Sequence, residues 1–380
     1  MKIVTIIGAR PQIIKAAAIS RAIADHFSHA ITEVIVHTGQ HYDDNMSEVF
    51  FTEMSIPRPK HQLSVGSGNH GVQTAKMLEG IETVLLAEQP DALLVYGDTN
   101  STLAGALAAV KLHIPVVHVE AGLRSYNKSM PEEINRIACD HCSTLLFVPT
   151  EQGIENLCKE GFSLDTKGKA SIDHPKVFMT GDIMFDNSMY FAEKSREKQR
   201  VADELQLQDG QFILCTIHRD SNTDLAENLS SIVQGLLSIQ ELSRQTLVLP
   251  LHPRTRKKMA ELLPPALLDK LNSRSGIKLI EPAGFLDMIS LESRCSMVIT
   301  DSGGVQKEAF FFQKPCIILR DQTEWVEIVA HGNARLVGAK QEAMMAAFEF
   351  FQGQESLSYP PIFGDAHAAE EICRLMLENL

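Results

Sequence analysis

The sequence has no apolar run as long as the roughly 18 residues that a membrane-spanning helix needs. It is also poor in positive charge, because 35 lysines and arginines stand against 48 aspartates and glutamates, for a net charge of −13. A general nucleic-acid binder carries a basic footprint, so this balance excludes that class. We therefore expect neither a membrane nor a nucleic acid among the partners, and an anionic ligand would need a local cluster of cations.

Two cofactor signals are missing or incomplete. No Gly-x-Gly-x-x-Gly opens a helix, so we expect no nicotinamide cofactor. The seven cysteines are scattered and odd in number, which favours free thiols. Cys139 and Cys142 form a Cys-x-x-Cys, but their surroundings are helical in pattern and no second pair follows, so we expect no metal. The chain starts in an apolar strand without a leader pattern, and we expect a cytoplasmic protein.

Short apolar runs alternate with longer helical patterns along the 380 residues. This rhythm is typical of parallel sheets with helices on both faces, and the length favours two domains. We predict an α/β protein with two Rossmann-like, doubly wound domains that face a cleft. The predicted domains are 1–175 and 176–365, followed by a helix at 366–380 that could pack back on the first domain. The predicted strands are Lys2–Ile7, Glu33–His37, Ala92–Tyr96, Pro115–Val119, Leu145–Val148, Val177–Met179, Phe212–Ile217, Thr246–Leu251, Ile277–Ile280, Met297–Thr300 and Cys316–Leu319.

One strand-to-helix turn stands out, the segment that follows Met297–Thr300. Ser302, Gly303 and Gly304 lie there, and unpaired amides at a helix start form a natural phosphate site. A simple tight turn would also use Gly-Gly. Glu308, predicted in the first turn of the helix, favours the ligand reading because a carboxylate can accept hydrogen bonds from both ribose hydroxyls.

Acidic residues follow the strands of the first half. Asp98 comes directly after Ala92–Tyr96, Glu120 follows the next strand, and Glu132 begins the helix after it. Asp98 alone could be only a helix cap. Since ligands bind beyond the carboxyl ends of parallel strands, we expect the three carboxylates to converge with Arg124 and Arg136. Clustered acids suit proton transfer.

Cations follow other strands. Arg10 and Lys15 stand at the first strand-to-helix turn, and His218 and Arg219 end the first strand of the second half, with His252 after the next. These positions are compatible with scattered surface charge or with structural histidines. Together they suit a diphosphate better, because cations can stabilise its developing charge.

With these residues in view, the chain resembles the non-hydrolysing UDP-N-acetylglucosamine 2-epimerase family. The resemblance rests on motifs in the family's order over residues 1 to about 330. They are Gly8–Pro11, Thr38–His41, Gly97–Ser101, His118–Arg124, Pro131–Arg136, His218–Arg219, His252–Pro253 and Asp301–Glu308. It implies a GT-B-like fold, UDP held mainly by the second domain, a homodimer and no cofactor.

The resemblance also implies residue roles. The expected catalytic residues are Asp98, Glu120, Glu132 and His218. Gln40 and His41 are candidates for an activating second UDP-sugar site, which some members of the family have. The expected contacts to UDP and the sugar are Arg10, Lys15, Arg136, Arg219, Ser302, Gly303, Gly304, Glu308 and Arg320.

The segment Arg320–Glu327 departs from the best-known members of the family, which have Thr-Glu-Arg-Pro-Glu there. Trp325 stands in place of an arginine. The chain resembles the branch that acts on UDP-2,3-diacetamido-2,3-dideoxyglucuronate, a precursor of bacterial surface polysaccharide such as lipopolysaccharide O-antigen. UDP-N-acetylglucosamine itself as substrate, a hydrolysing epimerase, a GT-B glycosyltransferase and a non-catalytic UDP-sugar sensor are the alternatives.

Overall fold

A computed structural model describes residues 1–40, 51, 54, 56–164, 167–195 and 200–380. The chain divides into two compact units. The first comprises Met1–Asn187 and Pro361–Leu380, and the second comprises Ser188–Pro360. No helix in the described part of the chain is long and apolar enough to span a membrane.

The first unit is built on a seven-stranded parallel sheet with the order β3-β2-β1-β4-β5-β6-β7. Its strands are β1 (Lys2–Ile7), β2 (Thr32–His37), β3 (His61–Gln62), β4 (Ala92–Tyr96), β5 (Val116–Val119), β6 (Leu145–Val148) and β7 (Lys176–Met179). Its helices are α1 (Arg10–Ala22, continued by a π turn at Ile23–Phe27), α2 (His70–Glu88), α3 (Asn100–Lys111), α4 (Pro131–His141) and α5 (Glu151–Lys159). Helix α6 (Ile183–Ser195) contains the boundary between the units.

The second unit has a six-stranded parallel sheet with the order β10-β9-β8-β11-β12-β13. Its strands are β8 (Phe212–Thr216), β9 (Thr246–Pro250), β10 (Ile277–Ile280), β11 (Met297–Thr300), β12 (Cys316–Ile318) and β13 (Ala334–Leu336). Its helices are α7 (Arg200–Glu204), α8 (Asp220–Thr223), α9 (Ala226–Ser243), α10 (Pro253–Leu262), α11 (Pro265–Ser273), α12 (Phe285–Arg294), α13 (Gly303–Phe311), α14 (Val326–Ala330) and α15 (Gln341–Gln352). Helix α16 (Ala368–Asn379) returns to the first unit.

Two Rossmann-like, doubly wound parallel sheets are the predicted fold class, which the structure confirms. Their central strands are continuous apolar runs because helices cover both faces of the sheet. All five residues of β4, for example, are fully buried. Because the strands are parallel and neighbours in the strand order, the carboxyl ends of β1, β4 and β5 are adjacent in the first sheet. Those of β8, β11 and β12 are adjacent in the second.

The structure divides the chain later than the predicted boundary at 175/176. Strand β7 pairs in parallel with β6, so it completes the first sheet, and the division falls between Asn187 and Ser188. The last helix packs on α1 in the first unit. Its first amides, those of Ala368 and Ala369, donate to the buried Asp186 at 3.2 and 2.7 Å. Burial raises the pKa of Asp186 to about 6 against these hydrogen bonds.

Candidate active site

The turn after β1 is packed tightly against its neighbours. A Cβ atom at Gly8 would lie 2.1 Å from Thr38 Oγ1 and 2.2 Å from Ser101 Oγ, so only glycine fits. Buried Gln12 accepts hydrogen bonds from the Gly8 and Ala9 amides at 2.9 and 3.2 Å, and its own amide donates to the Tyr96 carbonyl. The start of α1, with the exposed Arg10 as its first residue, is thereby fixed to the end of β4. Sequence reasoning did not assign this role to Gln12.

Lys15 and Glu120 form an ion pair in the first unit. Gly97, at the end of β4, lies against this pair, because a Cβ atom there would be 3.2 Å from both the Glu120 carboxylate and the Lys15 ammonium. Gly97 has a left-handed backbone with φ of +62°. The turn that carries Asp98 therefore runs directly beside the predicted catalytic carboxylate of Glu120.

Glu120 also adopts a left-handed backbone, with φ of +68°. A non-glycine residue in this region costs of order 1–3 kcal/mol, and such residues cluster at functional sites. The hydrogen bonds of its neighbours hold it there, since the Ala121 amide donates to the Phe147 carbonyl of β6 at 3.0 Å.

Asp98 forms an ion pair with Arg136 of α4. The Asn135 side chain donates to the Asp98 carbonyl at 2.9 Å. The other side of the Arg136 guanidinium donates to Glu133 at 2.7 Å. The structure thus brings together Asp98 and Arg136 as predicted, and it adds Glu133 to the group.

The two adjacent glutamates of α4 have different environments. Glu132 is exposed on the first turn. Glu133 is buried and accepts the amide N–H groups of Ser125 and Tyr126, both at 2.9 Å. Burial acts to raise the pKa of Glu133, but these amides and Arg136 outweigh it and hold that pKa below its usual range. Glu133 is thus a structural anchor for the loop after β5, and Glu132 carries the exposed carboxylate.

His118, on β5, is the centre of a buried charge network. Its Nδ1 lies 2.7 Å from Asp140 and its Nε2 lies 2.8 Å from the Gly97 carbonyl. Both partners are acceptors, so both ring nitrogens donate and the ring is an imidazolium. Burial acts to lower the pKa of His118, but Cys139 and Asp140 outweigh it and raise that pKa well above its usual value. This network fixes the carbonyl that precedes Asp98.

Arg124 does not join the predicted carboxylates. Its buried guanidinium contacts Asp140 at 2.7 Å and Glu160 at 2.6 Å, on the inner side of the loop. The structure pairs it instead with two acids that are distant in sequence, the fully buried Asp140 and the partly exposed Glu160. Asp140 also accepts the Gly122 amide at 3.2 Å, so it holds two residues of the Glu120–Arg124 turn, Gly122 and Arg124.

In the second unit, buried Asp301 organises the segment after β8. It accepts the amides of His218 and Arg219 at 3.0–3.1 Å and the Asn222 side chain at 3.0 Å, and it lies 3.1 Å from His218 Nδ1. Burial acts to raise the pKa of Asp301, but the hydrogen bond and charge of His218 and its other donors hold that pKa below its usual range. Asp301 orients the half-exposed His218 ring.

The Ser302–Gly304 turn opens α13, with Ser302 as its N-cap residue. A Cβ atom at Gly303 or Gly304 would meet no described atom closer than 3.6 Å. Packing within the unit therefore does not require glycine here, whereas close approach by a ligand would. The helix begins at Gly303, so both glycines already lie in it. Glu308 consequently falls in the second turn and not the first.

Arg320 and Trp325 border the same turn. The Arg320 guanidinium makes two hydrogen bonds of 2.8 Å to Glu324, and it lies 3.8 Å from a Cβ atom built on Gly303, as does Trp325 Nε1. The buried Trp325 ring stacks under the Lys307 ammonium at 4.1 Å from its centroid. Trp325 is thus part of the wall beside the candidate phosphate turn.

The remaining candidate residues lie in both units. Gln40 accepts the Ser101 amide and hydroxyl at 3.2 and 2.8 Å, which ties it to the start of α3. His41 lies outside the described residues. His252 caps α10, and the nearby Arg254 is paired with Asp220 and Asp224. Arg219 is exposed, and its Nε donates to the Asp301 carbonyl at 3.0 Å.

Two Rossmann-like sheets with a Gly-Gly helix start and paired carboxylates and cations at their strand ends define a GT-B-like protein of the nucleotide-sugar class. The family model described as UDP-N-acetylglucosamine 2-epimerase matches residues 25–377. The chain belongs to the UDP-N-acetylglucosamine 2-epimerase family, which confirms the resemblance.

Relatives match over essentially the whole chain. A Pseudomonas aeruginosa protein named UDP-2,3-diacetamido-2,3-dideoxy-D-glucuronate 2-epimerase is 48% identical, with 99% of each chain covered. The UDP-N-acetylglucosamine 2-epimerase of Methanocaldococcus jannaschii is 43% identical, with 99% of each chain covered. A structure of the M. jannaschii enzyme superposes with a TM-score of 0.85 at 41% identity. A structure of that enzyme in complex with UDP-GlcNAc and UDP superposes with a TM-score of 0.81 at 42% identity. Both superpositions cover 100% of both chains.

Proposed function

We propose that this protein inverts C2 of a UDP-2-acetamido sugar, converting the gluco to the manno form. The observation that carries the proposal is the pair of carboxylate and cation contacts at adjacent strand ends, Glu120 with Lys15 and Asp98 with Arg136. Clustered acids beside cations suit proton transfer next to a leaving anion.

The proposed substrate is UDP-2,3-diacetamido-2,3-dideoxyglucuronate. The identity to the P. aeruginosa relative, 48% over 99% of both chains, supports this choice. Trp325, stacked on Lys307 beside the Gly303 turn, gives that site an aromatic ring where the best-known members of the family have an arginine. This difference supports a changed sugar specificity. UDP-N-acetylglucosamine itself is the second candidate, favoured by the 43% identity to the M. jannaschii enzyme. A role in bacterial surface polysaccharide synthesis follows from the first candidate.

The chemistry must avoid a simple carbanion. The hydrogen at C2 of the sugar is not next to a carbonyl, so its removal alone would leave a carbanion without resonance stabilisation. If the C2–H bond breaks while the C1–O bond to UDP breaks, the electron pair forms a C1=C2 double bond and UDP carries the charge away. Re-addition of UDP to the 2-acetamidoglucal, with a proton returned to the other face of C2, completes the inversion.

The residues then have distinct roles in this proposal. Asp98, Glu120 and Glu132 share proton removal and return. His218, oriented by Asp301, would stabilise the leaving diphosphate together with Arg10 and Lys15. Arg136 supports Asp98. The contacts to UDP and the sugar would come from Ser302, Gly303, Gly304, Glu308, Arg219 and Arg320.

We propose a cytoplasmic homodimer that accepts a second, activating UDP-sugar, the last on the resemblance to family members that are so activated. The seven cysteines are all free, which fits a reducing compartment. Sedimentation with and without the UDP-sugar tests the assembly, and a monomer under both conditions would contradict it.

The activity is tested by following both candidate UDP-sugars by NMR with purified protein. We expect a manno product from the diacetamido-uronate at least about tenfold more efficiently than from UDP-N-acetylglucosamine, a difference of about 1.4 kcal/mol in transition-state binding. Equal or better turnover of the plain sugar would favour the second candidate. Free sugar with free UDP would indicate a hydrolysing enzyme, and isomer-free transfer to an added acceptor would indicate a glycosyltransferase.

A further inference from the structure

Helix α12 packs against α13, which carries the candidate nucleotide site. Glu292 lies on the buried face of α12 and is only 1% exposed. A carboxyl group in such surroundings needs an explanation, because acidic side chains are almost never fully buried unless they are paired. Its partner is a second acid, Glu308 of α13, with which it shares a hydrogen bond.

Two carboxylates cannot share a hydrogen bond when both are ionised, since neither then has a proton to donate. The proton belongs to Glu292 on two grounds. It is the more deeply buried of the two, and its Oε2 has no hydrogen-bond partner among the described residues. An ionised carboxylate with an unpaired, buried oxygen would be very costly, whereas a neutral acid tolerates it. Burial first, and then the charge of Glu308, raise the pKa of Glu292 well above its usual value.

We propose that Glu292 is a positioning residue whose protonated carboxyl donates to Glu308 and holds it ready for the ribose hydroxyls of UDP. The inference rests on the proposed UDP site. An ionised carboxylate offers about four lone-pair positions on its two oxygens. One can accept the Glu292 proton, while the others receive the ribose. A side chain fixed before binding loses less rotamer entropy when the ligand arrives.

The neighbouring residue is already held in place by another contact. Lys307 is buried, and its ammonium group lies over the face of the Trp325 ring. Glu308 is half-buried on the second turn of α13, beyond the Gly303–Gly304 start. The Glu292 hydroxyl is therefore a partner from the protein interior that sets the direction of the Glu308 carboxylate.

Two variants at one position separate positioning from packing. Glu292→Gln keeps a donor of nearly the same shape, and Glu292→Leu removes the donor but fills the space. By calorimetry with UDP we expect Glu292→Gln to bind within about twofold of the unmodified protein and Glu292→Leu to bind about tenfold more weakly, or about 1.4 kcal/mol. Glu292→Leu with unchanged UDP affinity would overturn the inference.

Stability controls exclude a trivial loss. A buried polar group without a hydrogen bond costs stability, and Oε2 of Glu292 has no partner among the described residues, so Glu292→Leu should melt no lower than the unmodified protein. If Glu292→Leu fails to fold, infrared difference spectra on UDP binding are compared between the unmodified protein and Glu292→Gln. A carboxylic-acid carbonyl band should change in the unmodified protein and be missing in Glu292→Gln, and the same band in both would overturn the inference.

The double variant distinguishes this inference from the proposed function. In a Glu308→Gln background the Glu292→Leu change should have no further effect on UDP affinity, because the residue acts through Glu308. If Glu308→Ala leaves UDP binding unchanged, the proposed UDP site fails and this inference falls with it. If Glu308→Ala weakens binding but Glu292→Leu does not, the UDP site stands and only the role of Glu292 is refuted.

Discussion

Replacing His118 with alanine should destabilise the first unit and impair the turns that carry Asp98 and Glu120. The imidazolium donates to Asp140 at 2.7 Å and to the Gly97 carbonyl at 2.8 Å, and the residue is fully buried. Its loss removes one of the cations facing Asp140 and leaves a buried carbonyl without its donor. Arg124 remains 2.7 Å from the other oxygen of Asp140, so the acid stays partly compensated.

The expected magnitude follows from that partial compensation. Breaking a buried ion pair by removing one partner costs about 3–5 kcal/mol, and the remaining arginine favours the low end, about 3 kcal/mol. For a unit of this size, roughly 2–4 °C of melting temperature is lost per kcal/mol. The melting transition of the first unit should therefore fall by roughly 6–12 °C.

The pH dependence has a definite sign. A histidine whose pKa is raised by folding contributes stability that is complete below its unfolded value and is lost as pH rises through the folded pKa. Because the folded pKa of His118 is well above its usual value, the contribution persists at neutral pH. The difference between the unmodified protein and His118→Ala should be largest near pH 6 and shrink at alkaline pH.

Thermal melts followed by circular dichroism from pH 6 to alkaline pH provide the assay. Replacing His29, which is exposed, by alanine is the matched control and should leave the transition unchanged. A melting temperature of His118→Ala within about 2 °C of the unmodified protein would refute the buried-cation reasoning, as would a difference that grows at alkaline pH.

Four further predictions concern single positions. Glu308→Ala should weaken UDP binding in calorimetry by about 1.5–3 kcal/mol, because charge-assisted ribose hydrogen bonds are lost, and unchanged affinity would defeat the UDP site. Trp325→Ala should lower the preference for the diacetamido-uronate over UDP-N-acetylglucosamine by about fivefold in kcat/KM, whereas Trp325→Phe should retain it; equal ratios in all three proteins would separate Trp325 from specificity. Asp98→Asn should reduce epimer formation at least about a hundredfold while UDP still binds, and near-normal turnover would remove Asp98 from the chemistry. Asp186 has a pKa raised to about 6, so between about pH 4 and 6 the folded protein keeps a proton that the unfolded chain loses. Stability should therefore fall as the pH rises from about 4 to 6. Asp186→Asn should flatten that slope in thermal melts, and an unchanged slope would contradict the assignment.

The sheet was largely predictable because its signal is local. Buried parallel strands are short apolar runs, and the observed β4, β6, β10 and β11 have the predicted ends. Strands β3 and β13 were missed because they contain only two or three residues, with polar side chains among them. The candidate site was predictable to the extent that polar residues directly follow strands at one sheet edge.

Partners across long sequence distances were not predictable. Glu132 and Glu133 are identical in type and adjacent, and only the folded loop decides that Glu133 is buried. Asp140 becomes the partner of His118 because a helix returns beside β5. The pairing of Glu292 with Glu308 likewise depends on the packing of two helices, which no periodicity specifies.

Isotope incorporation distinguishes inversion of C2 through elimination and re-addition of UDP from other routes. The enzyme is incubated with its UDP-sugar in deuterated water, with ¹⁸O in the bridge between C1 and the diphosphate. Elimination and re-addition should give epimer with deuterium at C2 and should move the label from the bridge to non-bridging phosphate positions. Epimer that retains its original C2 hydrogen, with the label still in the bridge, would rule out this mechanism.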